Sequence, residues 1–164
     1  MQDFSDLPIS LFIREQLAKA GFSTPTEVQA AAIPEALAGK DVLATAPTGT
    51  GKTLAFLIPI IQDLLQQNTP GITALVLVPT RELAMQVMDQ YHAFRGKKLS
   101  AGALVIGGLS EAQQLGAIRQ GARLVVATPG RLEDFLNCKL IHLRTVRTLV
   151  LDEADRILDM GFLP

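Results

Sequence analysis

Short apolar runs alternate with amphipathic stretches along most of this chain, and this alternation limits the possible folds more than any other feature. Apolar runs of this length predict β-strands, at Asp41–Thr45, Thr73–Val78, Leu99–Ile106, Ala122–Ala127 and Thr145–Leu151. The spacing of apolar residues between them predicts helices, at Thr53–Gln67, Glu82–Phe94, Glu111–Gln120 and Arg131–Asn137. Strands that alternate with helices predict an α/β domain whose mainly parallel sheet is flanked by helices.

Polar segments directly follow four of the predicted strands. They are Ala46–Thr53, Pro79–Glu82, Thr128–Arg131 and Asp152–Asp155. Right-handed crossovers bring the loops after parallel strands to one edge of the sheet, where ligands bind in such folds. We therefore expect these segments to form the functional edge of the domain.

Composition limits the class of protein. The chain has 164 residues, of which 48% are hydrophobic and 19% charged, as in a globular domain. A single cysteine, Cys138, excludes an internal disulfide and fits a reducing compartment, so we expect a cytoplasmic protein. No apolar run is long enough to predict a membrane span. The formal net charge of −1 implies that any nucleic-acid contact is local or is completed by something outside this chain.

The segment Ala46-Pro-Thr-Gly-Thr-Gly-Lys-Thr53 has the pattern of a phosphate-binding loop. Its glycines allow a tight turn whose backbone N–H groups face an anion. Lys52 would place a charge on the outer phosphates, and Thr53 would offer a hydroxyl to Mg²⁺. Ala46 stands where the strict pattern has glycine, and the alternative is a turn that binds nothing. The candidate nucleotide-binding residues of this loop are Ala46, Thr48, Gly49, Thr50, Gly51, Lys52 and Thr53.

Carboxylates follow the last predicted strand, in Asp152-Glu-Ala-Asp155. Asp152 could hold Mg²⁺ against phosphates, and Glu153 could orient and deprotonate an attacking water. With Lys52, these are the candidate catalytic residues. Taken alone, such an acidic segment is usually a solvated loop.

Together these segments resemble, over residues 1–164, the first helicase domain of a DEAD-box RNA helicase, which is a RecA-like P-loop NTPase domain. The Ala46 departure is the form that this family uses. The matching motifs are the Q motif (Gly21–Gln29, within a region 1–29 that includes the upstream Phe4), motif I (Ala46–Thr53), motif Ia (Pro79–Ala84), the glycine doublet (Gly107–Gly108), motif Ib (Thr128–Arg131) and motif II (Asp152–Asp155).

The resemblance implies that the Q motif recognises the adenine of ATP. The Gln29 amide can both accept from and donate to an adenine edge, Phe22 offers a flat apolar surface, and Phe4 can buttress it. Thr24 belongs to the same nucleotide-contacting set. Without the resemblance, Gln29 would be read as a surface residue and Phe22 as core.

The resemblance also implies RNA contacts through the phosphate backbone, with little sequence specificity. Helix starts, arginines and glycines that permit close approach suit phosphates. Each segment taken singly is also an ordinary helix cap or turn. The candidate RNA-binding residues are Pro79, Thr80, Arg81, Gly107, Gly108, Thr128, Pro129, Gly130 and Arg131.

The sequence ends shortly after motif II, before the family's motif III and second helicase domain, so we expect a domain truncated at its C-terminal end. An unshielded sheet edge near Leu149–Leu151 is expected as well. The leading hypothesis is the ATP-binding, RNA-contacting first domain of an ATP-dependent RNA helicase, with the second domain as its partner. The alternatives are a nucleotide- or RNA-binding module that does not hydrolyse, and a DNA translocase with similar motifs.

Overall fold

A computed structural model describes residues 3–159, so the two ends of the predicted 1–164 domain lie outside the described residues. The chain divides into two compact units. The first contains the described residues up to Gln67 together with Ala93–Gly96. The second contains Asn68–His92 and the described residues from Lys97 onward.

The first unit is helical. A short 3₁₀ helix, Phe4–Asp6, precedes α1 (Leu11–Lys19), α2 (Glu27–Leu37) and α3 (Lys52–Gln66). Ser10 caps α1, and its backbone N–H donates to Gln62 Oε1 of α3 at 3.0 Å. Apolar side chains of α1, α2 and α3 form the core of this unit, among them Ile13, Leu17, Ile33, Leu57 and Ile61.

The second unit is built on a parallel four-stranded sheet. Its strands are β1 (Ala74–Leu77), β2 (Ala103–Val105), β3 (Leu124–Ala127) and β4 (Thr148–Leu151), in the order β2-β3-β1-β4. In register, Ala74 lies opposite Leu124 on one side and Thr148 on the other. Because all four strands are parallel, the loops that follow them lie together along the edge formed by the carboxyl ends of the strands.

Helices connect these strands. They are α4 (Arg81–Arg95, whose last residues belong to the first unit), α5 (Glu111–Arg119) and α6 (Pro129–Asn137), and α7 (Ala154–Asp159) follows β4. One core of this unit joins Val105, Val125 and Ala127 of the sheet to Leu132 and Phe135 of α6, with α5 residues packed against it. The predicted α/β order of this part is therefore confirmed, and each of the four predicted helices is present with bounds shifted by one or two residues.

The predicted strand at Asp41–Thr45 is wrong. This segment has no regular secondary structure and is not one of the four strands of the sheet. Leu43 is 98% exposed. An apolar run becomes a strand only where a neighbour supplies partners for its N–H and C=O groups, and a local pattern does not report that neighbour.

The strand predicted at Leu99–Ile106 is much shorter in the structure. Before Ala103, two backbone groups bond to side chains of α4. Ser100 O accepts from Tyr91 Oη at 3.0 Å, and Gly102 N donates to His92 Nε2 at 3.1 Å. These bonds to α4 use backbone groups that a longer strand would need for pairing.

Among the described residues β4 pairs only with β1, so it is an edge strand of the sheet. The side chains of Leu149 and Leu151 on this strand are exposed. The expectation of an unshielded edge at this position is therefore confirmed. Within residues 3–159, no helix is both long enough and apolar enough to cross a membrane.

Candidate functional site

The candidate phosphate loop leads directly into α3. Gly49 and Gly51 both have φ of +84°, a left-handed conformation that glycine adopts without steric cost. Gly51 is the N-cap of α3, and no side chain caps the helix there. The first N–H groups of a helix have no partner within the helix, so this end of α3 presents donors to an anion. Lys52 and Thr53 are the first two residues of the helix.

The remaining loop residues shape the turn. Thr50 Oγ1 donates to Pro47 O at 2.6 Å, so this hydroxyl folds back onto its own loop. Thr48 is exposed, and Ala46 is half-buried.

Gln29 is buried and bonds to this loop. Its side chain is only 3% exposed, and its Nε2 donates to Gly51 O at 3.0 Å. Its Oε1 accepts from Thr26 N at 3.0 Å, which completes the capping box of α2. These bonds use one of the two amide hydrogens and one of the two lone pairs of the oxygen. The reading of Gln29 as a plain surface residue is wrong.

The aromatic residues of the Q-motif region lie at a separate cavity of about 370 Å³, whose lining includes Phe4, Phe22 and Arg14 but neither Thr24 nor Gln29. Phe4 is buried, and Phe22 is 43% exposed with its ring centroid 6.2 Å from that of Phe94. Asp3 also lines this cavity. Hydrogen bonds from the backbone and hydroxyl of Ser5 lower the pKa of the Asp3 carboxyl.

The acidic residues of the second unit follow β4. Asp152 is 9% exposed, and its backbone N–H donates to Leu77 O at 3.0 Å, which continues the pairing of β4 with β1. Glu153 has φ of +52°, a conformation that costs a non-glycine residue about 1 kcal/mol or more. Its carboxylate lies 3.2 Å from Arg156 Nη1. Strained backbone at a polar loop is common at functional sites.

Several of the predicted RNA-binding residues meet at the loop after β2. A Cβ built at Gly108, whose φ is +79°, would overlap the guanidinium of Arg81. Arg131 Nη1 donates to Leu109 O at 3.3 Å. The structure therefore brings Arg81, Arg131 and the glycine doublet to one loop, although they are separated by tens of residues in the sequence.

The two predicted helix starts differ. Thr80 Oγ1 accepts from Leu83 N at 3.2 Å and so caps α4, while Pro79 beside it is buried. Thr128 is the N-cap of α6, but its side chain makes no capping bond, and Pro129 is the first residue of the helix. The start of α6, with Gly130 in its first turn, therefore has donors to offer an anion.

Among the polar contacts that the sequence reasoning missed are two made by buried glutamines. One is the bond from Gln29 to Gly51, for which the sequence contains no signal. The other is at Gln114, which is 5% exposed and donates from Nε2 to Ile106 O at 2.8 Å. The sequence did contain a signal for the burial of Gln114, because this residue lies four residues before the apolar Ile118 and therefore on the same face of the helix.

A family model described as DEAD/DEAH box helicase matches residues 26–164. The chain belongs to this family. It is 44% identical to the probable ATP-dependent RNA helicase ddx17 of Dictyostelium discoideum, over 100% of this chain and 21% of that protein. It is 42% identical to DEAD-box ATP-dependent RNA helicase 30 of Arabidopsis thaliana, over 100% of this chain and 28% of that protein. The chain thus spans roughly a quarter of the length of these relatives.

Solved structures of DEAD-box proteins have the same fold. A DEAD box protein from the hyperthermophile Methanococcus jannaschii superposes with a TM-score of 0.89 at 38% identity, over 99% of this chain and 44% of that one. The RNA helicase Prp28 from Chaetomium thermophilum, bound to ADP, superposes with a TM-score of 0.92 at 35% identity, over 99% of this chain and 41% of that one. The predicted RecA-like fold class and the resemblance to DEAD-box helicases are therefore confirmed.

Proposed function

We propose that this chain is the ATP-binding and RNA-contacting domain of an ATP-dependent RNA helicase. The observation that carries the proposal is the start of α3, where left-handed Gly51 caps the helix without a side chain and Lys52 and Thr53 follow at once. Family membership supports nucleotide use, and curated relatives are named ATP-dependent RNA helicases. Those names favour an enzyme over a binding module that does not hydrolyse.

The residues present fit ATP. The uncapped N–H groups of α3 and the Lys52 ammonium suit a triphosphate, because both offer positive potential without a competing side-chain acceptor at the cap. Gln29 retains one amide hydrogen and one lone-pair position beyond its internal bonds, so we propose that it contacts adenine while still bonded to Gly51. Roles for Phe4, Phe22 and Thr24 beside the base stay predictions, because the cavity that the two aromatic rings line includes neither Thr24 nor Gln29.

Mg²⁺ prefers oxygen ligands, and residues of each unit offer one. The Thr53 hydroxyl and the Asp152 carboxylate are the oxygens that we propose for it. When bound, Mg²⁺ neutralises charge on the phosphate oxygens. Glu153 is proposed to accept the proton of the attacking water, which requires that its carboxylate leave Arg156.

We further propose that RNA phosphates bind along the edge of the sheet where the loops after β1, β2 and β3 lie. Arg81 and Arg131 both contact the loop that follows β2, and the start of α6 lacks a side-chain cap. Backbone contacts of this kind carry no base identity. Duplex separation is proposed only for the longer protein, with a second helicase domain, since the relatives extend well beyond the matched region. Cytoplasmic location stays a prediction.

Calorimetric titration tests the nucleotide part of the proposal. We expect ADP with Mg²⁺ to bind more tightly than GDP with Mg²⁺, and Lys52→Ala to weaken ADP binding. Lys19→Ala is the matched control, because it removes an exposed lysine from another helix of the same unit. Equal binding of ADP to wild type and Lys52→Ala would contradict the proposal.

Fluorescence anisotropy with labelled single-stranded RNA tests the RNA part. Arg81→Met and Arg131→Met should each weaken binding and lower the slope of log affinity against log salt by about 1. Arg144→Met, at an exposed position outside the candidate sites, should change neither quantity. A DNA strand of the same sequence separates an RNA helicase from a DNA translocase, because only RNA offers the 2′-hydroxyl.

A further inference from the structure

Gln114 is a buried polar side chain to which none of the motifs above assigns a role. It lies in α5, one turn after the N-cap Ser110, and faces inward, whereas its neighbour Gln113 is exposed. A buried amide without partners would destabilise the fold, so its bonds indicate what it holds in place.

The amide nitrogen of Gln114 bonds to the residue that directly follows β2. Its Nε2 donates to Ile106 O at 2.8 Å, and this bond is buried. Ile106 is the last residue before Gly107 and Gly108, which have no side chain to fix their conformation. The bond therefore anchors the loop at the point where it leaves the sheet.

The amide oxygen of Gln114 faces Arg131. Gln114 Oε1 lies 3.5 Å from Arg131 Nη1, which also donates to Leu109 O at 3.3 Å. The guanidinium carbon lies 5.7 Å from the centroid of the Phe135 ring. Both polar contacts are made by Nη1, so the edge of the guanidinium formed by Nε and Nη2 is the side that a phosphate would meet.

We propose that Gln114 is a positioning residue for RNA binding, because one amide anchors the loop after β2 and orients Arg131 against it. This inference rests on the RNA contact proposed above. Arg81 meets the same loop at Gly108, so a displaced loop would change the positions of both arginines. The effect of Gln114 on RNA would act through these residues, without contact to the RNA itself.

The test compares RNA affinities of this chain, measured by anisotropy at low salt with a labelled oligouridine of about ten nucleotides. Gln114→Met has nearly the same volume but neither donor nor acceptor. We expect it to weaken RNA binding about tenfold, the effect of losing one well-placed hydrogen-bonded contact. ADP affinity should not change, and Gln113→Met is the matched control that should leave RNA affinity unchanged.

A double-mutant cycle with Arg131→Met distinguishes positioning from a general loss of structure. If Gln114 acts through Arg131, Gln114→Met should lower RNA affinity less in the Arg131→Met background than in wild type, and the loss that remains should come through Arg81. Fully additive losses would overturn the inference. Gln114→Glu is a second variant of similar size. It cannot donate to Ile106 O when ionised and places a negative charge beside Arg131, so it should also weaken RNA binding.

Hydrogen exchange separates this inference from the function on which it rests. The amides of Gly107–Leu109 should exchange faster in Gln114→Met than in wild type, whether or not RNA is present. If wild type binds RNA and Gln114→Met binds it equally well, this inference fails and the proposed function stands. If wild type does not bind RNA, the proposed RNA contact fails together with the role of Gln114 in it.

Discussion

Substitution of Gly51 by alanine tests how the candidate nucleotide loop is held. Gly51 has φ of +84°, and a Cβ at this position would overlap Gln29 Nε2 and lie 3.1 Å from Gln29 Cδ. Alanine in a left-handed conformation costs about 1–2 kcal/mol. Displacement of Gln29 also breaks its bond to Gly51 O, which contributes about 1 kcal/mol. We therefore expect Gly51→Ala to lower the free energy of unfolding by about 2–3 kcal/mol.

Gly49→Ala is the matched control for this prediction. Gly49 has the same φ of +84°, but a Cβ there meets nothing within 4 Å. It should therefore cost only the backbone strain of about 1–2 kcal/mol. Urea unfolding followed by circular dichroism measures both variants, and the difference between them reports the collision with Gln29 together with the close contact to Thr26 Oγ1 at 3.2 Å.

The Gln29→Ala background completes the test. With the amide removed, the extra cost of Gly51→Ala over Gly49→Ala should fall, which gives a coupling of about 1 kcal/mol between positions 29 and 51. Equal losses for the two glycine variants in the wild-type background would refute the reasoning. ADP titration of the same variants should show weaker binding for Gly51→Ala, because the start of α3 would be displaced.

Three further predictions follow from other parts of the chain. Lys52→Ala should weaken ATP binding more than Glu153→Gln does, because the lysine is assigned to the phosphates and the glutamate to the attacking water. If calorimetry gives the reverse order, the assigned roles are wrong. Thr145→Val removes a hydroxyl that donates to Ile72 O at 2.7 Å, and should lower the free energy of unfolding by about 1 kcal/mol in urea titrations. Leu149→Lys places a charge on the exposed edge strand β4 and should reduce concentration-dependent association in light scattering, whereas unchanged association would exclude edge pairing through this residue.

Local patterns predicted most of the second unit. The runs around β1, β3 and β4 are short, apolar and bounded by polar loops, and the structure has a strand in each. The same kind of pattern failed at Asp41–Thr45, where no strand forms. Both outcomes have one cause, since a run of apolar residues indicates that a strand can form but does not indicate whether a neighbour is present to pair with it.

The candidate site was predicted in part. Glycine content and helix-start signals identified the loop before α3 and the loops after the strands, because these depend on backbone freedom within a few residues. The buried bonds of Gln29 and Gln114 were not predicted. Each joins a helix side chain to a carbonyl of another segment, 22 residues away in one case and 8 in the other.

The sequence by itself thus determined the types of element, the glycines that permit the tight loops, and the family to which the chain belongs. Tertiary structure alone decided which amides turn inward, which arginines share a loop, and which apolar run pairs as a strand. The physical reason is the distance along the sequence over which each kind of interaction acts. Helix periodicity, caps and turns follow from interactions among near neighbours, whereas a buried hydrogen bond or a strand pair exists only when distant segments are packed together.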